Sequence, residues 1–260
     1  MQQPIPRNGT TKVGANILAA LSAFGRQGTW GVTELANELG LSKTATHRLL
    51  KTLAMNGFVE QLPGRSDYVL GVEVIALARQ AAAKTTVGSV GHSHLVRLAE
   101  STQEVVSIDV LRGYRYVCVD MVSIHPHVTT TVQIGDTIGL HAGAGKVILA
   151  YQHPAFVDEV LKEPLTRYTD NTPHEPSVIR AMLEKVRAEG RWVSEGEITP
   201  AARGLTMPIF GPRSSVEAVL TVTSTKARIP DSRVGELFSL MRQTCDQIAW
   251  DMGNREPVSP

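Results

Sequence analysis

The side chains best suited to chemistry in this sequence crowd one short stretch. Lys43, Thr44, Thr46, His47, Arg48 and Lys51 stand on what reads as the outer side of a helix, opposite Ala45, Leu49, Leu50 and Leu53. Hydroxyl and imidazole groups near a helix N-terminus can meet base edges in a major groove, while Arg48 and Lys51 can neutralise phosphates. Ser42, just before the helix, reads as its N-cap, and the amides at that helix start suit a phosphate. Thr33 reads as the cap of the preceding helix, and Arg65 sits in a turn (63–67) placed to reach a backbone or a minor groove. Taken singly, each of these residues is more often ordinary surface. Together with a short turn before the helix and a hairpin after it, they point to DNA.

Two other constellations imply different chemistry. His92 and His94, His125 and His127, His141, Cys118 and Cys245 are possible metal or redox groups. Zinc needs three or four ligands in close geometry. Pairs two residues apart near a helix start do not align their rings well, so no metal is expected, and a metal- or redox-responsive regulator stays as the alternative. Lys146 follows Gly143-Ala144-Gly145, but the spacing and the missing Ser or Thr depart from a phosphate loop. Neither G-x-S-x-G nor H-E-x-x-H occurs, and nothing in the sequence positions a partner for His141 or Glu195. No catalytic residue and no cofactor is therefore expected. A small-molecule enzyme built on the C-terminal part is the remaining rival.

The elements that must position the first cluster are legible. Residues 1–11 have no periodicity and read as a flexible arm. A helix is expected from Lys12 to Phe24, with Val13, Ile17, Leu21 and Phe24 inward and Gly25 and Gly28 ending it. Trp30 to Val32 can form a short strand, Thr33 to Leu39 a second helix and Lys43 to Asn56 a third. Phe58 to Leu62 and Tyr68 to Leu70 read as a hairpin. Three helices and a hairpin make residues 12–71 a winged helix-turn-helix, and 72–90 an Ala-rich linker helix.

Beyond residue 91 the rhythm changes to hairpins separated by helices. Strand-like runs cover 105–110, 114–122, 128–134, 205–210 and 216–223, and helices cover 143–151, 177–189 and 231–252. That is an α+β pattern with an antiparallel sheet over 91–254, followed by a tail, 255–260.

Composition agrees with this division. A chain of 260 residues that is 42% hydrophobic and 20% charged has the make-up of a soluble globular protein. The formal net charge of +1 hides a net of +3 on residues 1–71 and −2 on the rest, so a polyanion would meet the head. Two cysteines suit a reducing, cytoplasmic setting. The apolar run from Ala15 to Phe24 is too short to span a bilayer, and no cleavage-like site follows it.

At this point the sequence resembles the IclR family of bacterial transcriptional regulators. The stretch ELANELGLSKTATHRLLKTLAMNGFVE followed by YVLG resembles that family's recognition helix and wing. The likeness continues in LHAGAGKVILAY (140–151), WVSEGEITPAARGLTMPIF (192–210) and VEAVLTVTSTKARI (216–229). It implies a GAF-like effector domain, a homodimer or dimer of dimers, a (pseudo)palindromic DNA operator and a small-molecule effector such as an organic acid. By that resemblance the effector would meet Gly143, Ala144 and Gly145, whose backbone amides could grip a carboxylate. It would also meet Ser194, Glu195 and Gly204 in a loop over 194–204, and Thr221 and Thr223 on the late strand. Residues two apart on a strand share a side, so those two hydroxyls can converge. Met121, Leu140 and Met207 are read as apolar walls. The segment between His141 and Lys146 is one residue shorter than the family commonly has. Gly204 stands where some members carry cysteine, which leaves room for a bulkier, aromatic ligand. The expected function is a DNA-binding regulator, a repressor, controlled by a small organic-acid or aromatic effector.

Overall fold

The computed structural model describes residues 11–84, 86–124, 132–211 and 215–254. The chain divides into two compact units, Met1–Ala81 and Ala82–Pro260. Expectations that fall on 1–10, on His125, His127 and 128–131, on 212–214 and on the tail lie outside the described residues.

The first unit begins with α1 (Lys12–Arg26), capped by Thr11, whose hydroxyl accepts from the Gly14 N–H at 3.3 Å. A glycine inside a helix costs about 1 kcal/mol but does not stop it, so α1 runs through Gly25 and ends at the extended Gln27. Its buried face is Ala20, Ala23 and Phe24, with Ile17 and Leu21 packed alongside; Val13, expected inward, is exposed. Next comes β1 (Trp30–Gly31), then α2 (Val32–Leu39) and α3 (Lys43–Met55). The wing is β2 (Val59–Gln61) and β3 (Asp67–Leu70), and β1 adds to β3, giving the antiparallel order β1-β3-β2.

Thr33 is not the cap of α2. Pairing of Gly31 with Asp67 holds the chain extended up to residue 31, so the helix starts immediately afterwards at Val32. Gly31 takes the N-cap position, and its N–H donates to the Glu34 carboxylate at 3.5 Å. Gly71, after the wing, has no alternative residue: a Cβ there would stand 2.2 Å from the Gly57 carbonyl oxygen. Two helices follow, α4 (Val72–Lys84) and α5 (Thr86–Val90).

The second unit continues with α6 (His92–Thr102) and a long hairpin, β4 (Val105–Arg112) and β5 (Arg115–Val122), turning through Gly113 at φ 58°. It adds β6 (Thr137–Gly139), α7 (Gly145–Ala150), α8 (Pro154–Lys162) and α9 (Pro176–Glu189). It ends with β7 (Trp192–Glu195), β8 (Ala202–Phe210), β9 (Val216–Thr225) and α10 (Asp231–Asp251). The strands form one antiparallel sheet in the order β6-β5-β4-β9-β8-β7.

Strand alternation gives the sheet two different faces. Val106, Ile108, Leu205, Met207, Ile209, Leu220 and Val222 point to one side, where they pack with Leu95 and Leu98 of α6 and Leu237, Met241 and Ile248 of α10. A second cluster joins Tyr116, Ile138 and Val219 to Val147, Ile148 and Leu149 of α7 and Ile179, Leu183 and Val186 of α9. Between the second cluster and the middle of the sheet the packing stays open.

Candidate functional site

In the first unit the third helix presents its polar side to solvent. Ser42 caps α3, its hydroxyl accepting from the Ala45 N–H at 3.2 Å. Lys43, Thr44, His47, Arg48 and Lys51 are exposed. Among the described residues none of Lys43, Arg48 and Lys51 forms an ion pair, whereas Arg65 in the wing turn lies 3.2 Å from Asp67. Three uncompensated cations beside short polar side chains on one exposed helix suit a polyanion.

Thr46 departs from the expectation. It is fully buried, and Ala45 is exposed in its place. Positions 46, 50 and 53 share a face at the helical period, so Thr46 joins Leu50 and Leu53 in the core. Its hydroxyl is satisfied inside, donating to the Ser42 carbonyl at 3.1 Å. Thr46 is thus turned away from the exposed side of α3.

In the second unit the open space over the sheet is a cavity of about 330 Å³. Its sheet floor comes from Val105, Ser107 and Asp109 of β4 with Thr221 and Thr223 of β9, and from Met121, Ser194 and Gly204. Tyr116, Val132, Gly143, Ala144, Ile198, Thr199 and Ala201 contribute to its walls. Ser194 and Gly204 are direct cross-strand partners, as are Ser107 and Thr221. The hydroxyls therefore converge because the register brings them together.

Two buried acids shape this cavity. Glu197 forms an ion pair with the fully buried Lys146 and accepts from the Gly143 N–H at 2.8 Å and the Trp192 indole N–H at 3.4 Å. The Lys146 ammonium also lies 5.0 Å from the centre of the Trp192 ring. Burial lowers the Lys146 pKa, and the charge of Glu197 opposes that shift. Among the described residues Asp109 has no such charged partner. Burial pushes its carboxyl up to about 7, against hydrogen bonds from Thr221 and Ser107, each at 3.3 Å to Oδ2.

Comparison with known proteins gives both units one origin. Residues 13–63 match the IclR helix-turn-helix domain, and residues 79–250 match the C-terminal domain of the bacterial transcriptional regulator IclR. The chain belongs to the IclR family. The transcriptional repressor IclR of Escherichia coli is 26% identical over 230 residues, covering 87% of this chain and 84% of that protein. A crystal structure of an IclR regulator from Alicyclobacillus acidocaldarius superposes with a TM-score of 0.82 at 25% identity, covering 94% of this chain and 100% of the other. An IclR homologue from Microbacterium hydrocarbonoxydans, crystallised with 4-hydroxybenzoate, gives a TM-score of 0.81 at 21% identity, covering 93% and 99%. The chain is accordingly a DNA-binding transcriptional regulator of that family. Among the described residues no helix is long and apolar enough to cross a membrane.

With the IclR fold in place, the remaining sequence expectations sort by geometry. Met121, Gly143, Ala144, Ser194, Gly204, Thr221 and Thr223 line the cavity. Leu140, Gly145, Glu195 and Met207 do not. Leu140 belongs to the second core cluster and Met207 to the first. Gly145 is buried at the start of α7, where a Cβ would stand 2.6 Å from the Leu140 Cα. Residues 194 and 195 lie on β7 rather than in a loop, so alternation turns Glu195 away from Ser194 and towards Lys226 at 2.9 Å and Arg203 at 3.1 Å.

The amides at 143–145 are also occupied. Gly143 donates to Glu197, Gly145 to the Ala142 carbonyl at 3.0 Å, and the Ala144 backbone bonds the Tyr116 hydroxyl. They are not free to grip a carboxylate.

Sequence reasoning missed Ser107, Asp109, Tyr116 and Glu197. A lone acid in an alternating strand reads as a solvent-facing residue, and its burial depends on partners far along the chain. Of the metal candidates, His92 lies 3.0 Å from Asp120, while His94 lies 2.8 Å from Asp251. The two imidazoles diverge, and among the described residues no group of three metal-binding side chains forms.

Proposed function

We propose that this protein is a cytoplasmic repressor that binds an operator as a homodimer or a dimer of dimers and responds to a small molecule held in the 330 Å³ cavity. Lys43, Thr44, His47, Arg48 and Lys51 meet the duplex, with Ser42 and Thr33 at helix starts and Arg65 on the wing. Thr44 and His47 read bases, and the cations bind phosphates. The observation that carries this assignment is the exposed, unpaired cationic side of α3 in a unit of the IclR helix-turn-helix family.

A repressor, rather than an activator, is supported by the relative from E. coli that bears that name. An effector is supported by the cavity itself and by the homologue crystallised with 4-hydroxybenzoate. Coupling requires the effector to bind the DNA-competent and DNA-incompetent forms with different affinity.

Selection of bound duplexes from a random library tests the DNA half. Enrichment of a (pseudo)palindrome is the expected outcome, and recovery of no common sequence would count against it. Thermal-shift screening of small aromatic compounds tests the other half, repeated with Thr221→Val and Thr223→Val. Hits should lose their stabilising effect in these variants. Unchanged shifts would place the effector elsewhere.

A further inference from the structure

Among the described residues the cavity contains one acid, Asp109, with no countercharge beside it. Asp109, 3% exposed, lies mid-sheet on β4 and lines the cavity beside Thr221 and Ser107. Across from it on β5 is Cys118, with Tyr116 nearby; β9 contributes Thr221. The Cys118 thiol is pushed far up by burial and then by Asp109, and the Tyr116 phenol likewise, so both stay neutral. Glu197, from the segment after β7, is held by Lys146. Arg228, after β9, is turned to Glu104 at 2.9 Å and to the Gln103 carbonyl at 2.6 Å, and Glu104 also holds Arg233. Among the described residues no lysine, arginine or histidine forms an ion pair with Asp109.

We propose that the effector is an amine on an apolar or aromatic body, with its ammonium lodged against the Asp109 carboxylate. This rests on the reading of the cavity as the effector site. A carboxylate ligand would meet the unanswered acid Asp109 there; the cation in the lining, Arg228, is turned to Glu104, and the amides at 143–145 are already bonded to Glu197, Ala142 and Tyr116. An ammonium meets a buried, unpaired acceptor flanked by hydroxyls, while Val105, Met121, Val132 and Ile198 offer apolar surface to the rest of the molecule. Burying a charge is favourable only when it is paired and hydrogen-bonded, and Asp109 and the ammonium supply that for each other.

Titration calorimetry on the full chain tests this with matched probes: benzylamine against benzoate, phenethylamine against phenylacetate, and tyramine against 4-hydroxyphenylacetate. Asp109→Asn and the rim variant Ala201→Trp are measured alongside wild type, at about pH 6 and about pH 8. At least one amine should bind more tightly than its carboxylate partner. Its affinity should rise on the order of 10-fold between the two pH values, because a carboxyl titrating at about 7 goes from mostly protonated to mostly ionised. Asp109→Asn should abolish that rise and weaken the amine about 10-fold at the higher pH. Failure of every amine to exceed its carboxylate partner at the higher pH overturns the amine assignment. If carboxylates bind instead and Ala201→Trp blocks them, the cavity remains the effector site and only the ligand class is wrong. If ligands bind Ala201→Trp unchanged, the cavity is not the effector site at all.

Discussion

Glu197→Gln probes how strongly a single carboxylate holds one wall of the cavity. Wild-type Glu197 accepts from Lys146, from the Gly143 N–H at 2.8 Å and from the Trp192 indole at 3.4 Å. The lysine side chain is 0% exposed and the glutamate 7%, so screening by water is slight. Removing one member of such a pair leaves a buried, uncompensated charge, which typically costs about 3–5 kcal/mol. Gln keeps one oxygen for Gly143, which favours the lower end, about 3 kcal/mol. For a unit of this size each kcal/mol lowers Tm by about 2–4 °C, so the drop should be about 6–12 °C. Lys146→Met should cost a similar amount. The double variant, with no charge left buried, should recover a large part, giving a coupling of about 2 kcal/mol or more in a double-mutant cycle. Urea and thermal unfolding of the four proteins supply the cycle. Strictly additive losses, or a Glu197→Gln cost under about 1 kcal/mol, would refute the view that this pair acts as one buried unit.

Other expectations follow from the same geometry. Asp109 has a folded pKa of about 7 against an ordinary 3.8, so the folded state binds more protons in that interval and loses stability as pH rises through it. The penalty is full above about pH 7 and amounts to at most about 4 kcal/mol; Asp109→Asn should therefore stabilise the protein at about pH 8 and have little effect near pH 4. Equal effects in urea titrations at both pH values would contradict this. Thr46→Val should leave base preference unchanged and cost about 1 kcal/mol for the lost bond to Ser42, whereas His47→Ala should alter preference at one operator position. An altered base preference in Thr46→Val, read by repeating the duplex selection, would return Thr46 to the interface.

Much of the architecture was written locally. Ser42 before an apolar-periodic run, Gly57 after it, and a turn around Gly64 between strand-like runs are short-range signals, and α3 and the wing lie where those signals put them. The helix phase was harder. Ala45 and Thr46 are both small, and the sequence cannot tell which faces in when a threonine can bond its own helix backbone. β6 and β7 were missed because runs of three and four residues carry almost no alternation. That omission turned β7 into a loop and put Glu195 on the wrong side. Asp109 and Glu197 lay beyond local reading for another reason. Thr221 is 112 residues from Asp109 and Lys146 is 51 from Glu197, so only the folded sheet reveals their company. Apolar Leu140 and Met207 look like cavity walls from composition, yet each satisfies a core cluster instead.

The salt dependence of operator binding tests the central claim most directly. Each phosphate neutralised contributes about 0.9 to the slope of log K against log salt. Arg48→Ala with Lys51→Ala should therefore flatten the slope by about 1.8 per recognition helix, and weaken specific and non-specific duplexes alike. An unchanged slope with unchanged affinity in that double variant would mean that α3 does not face the DNA.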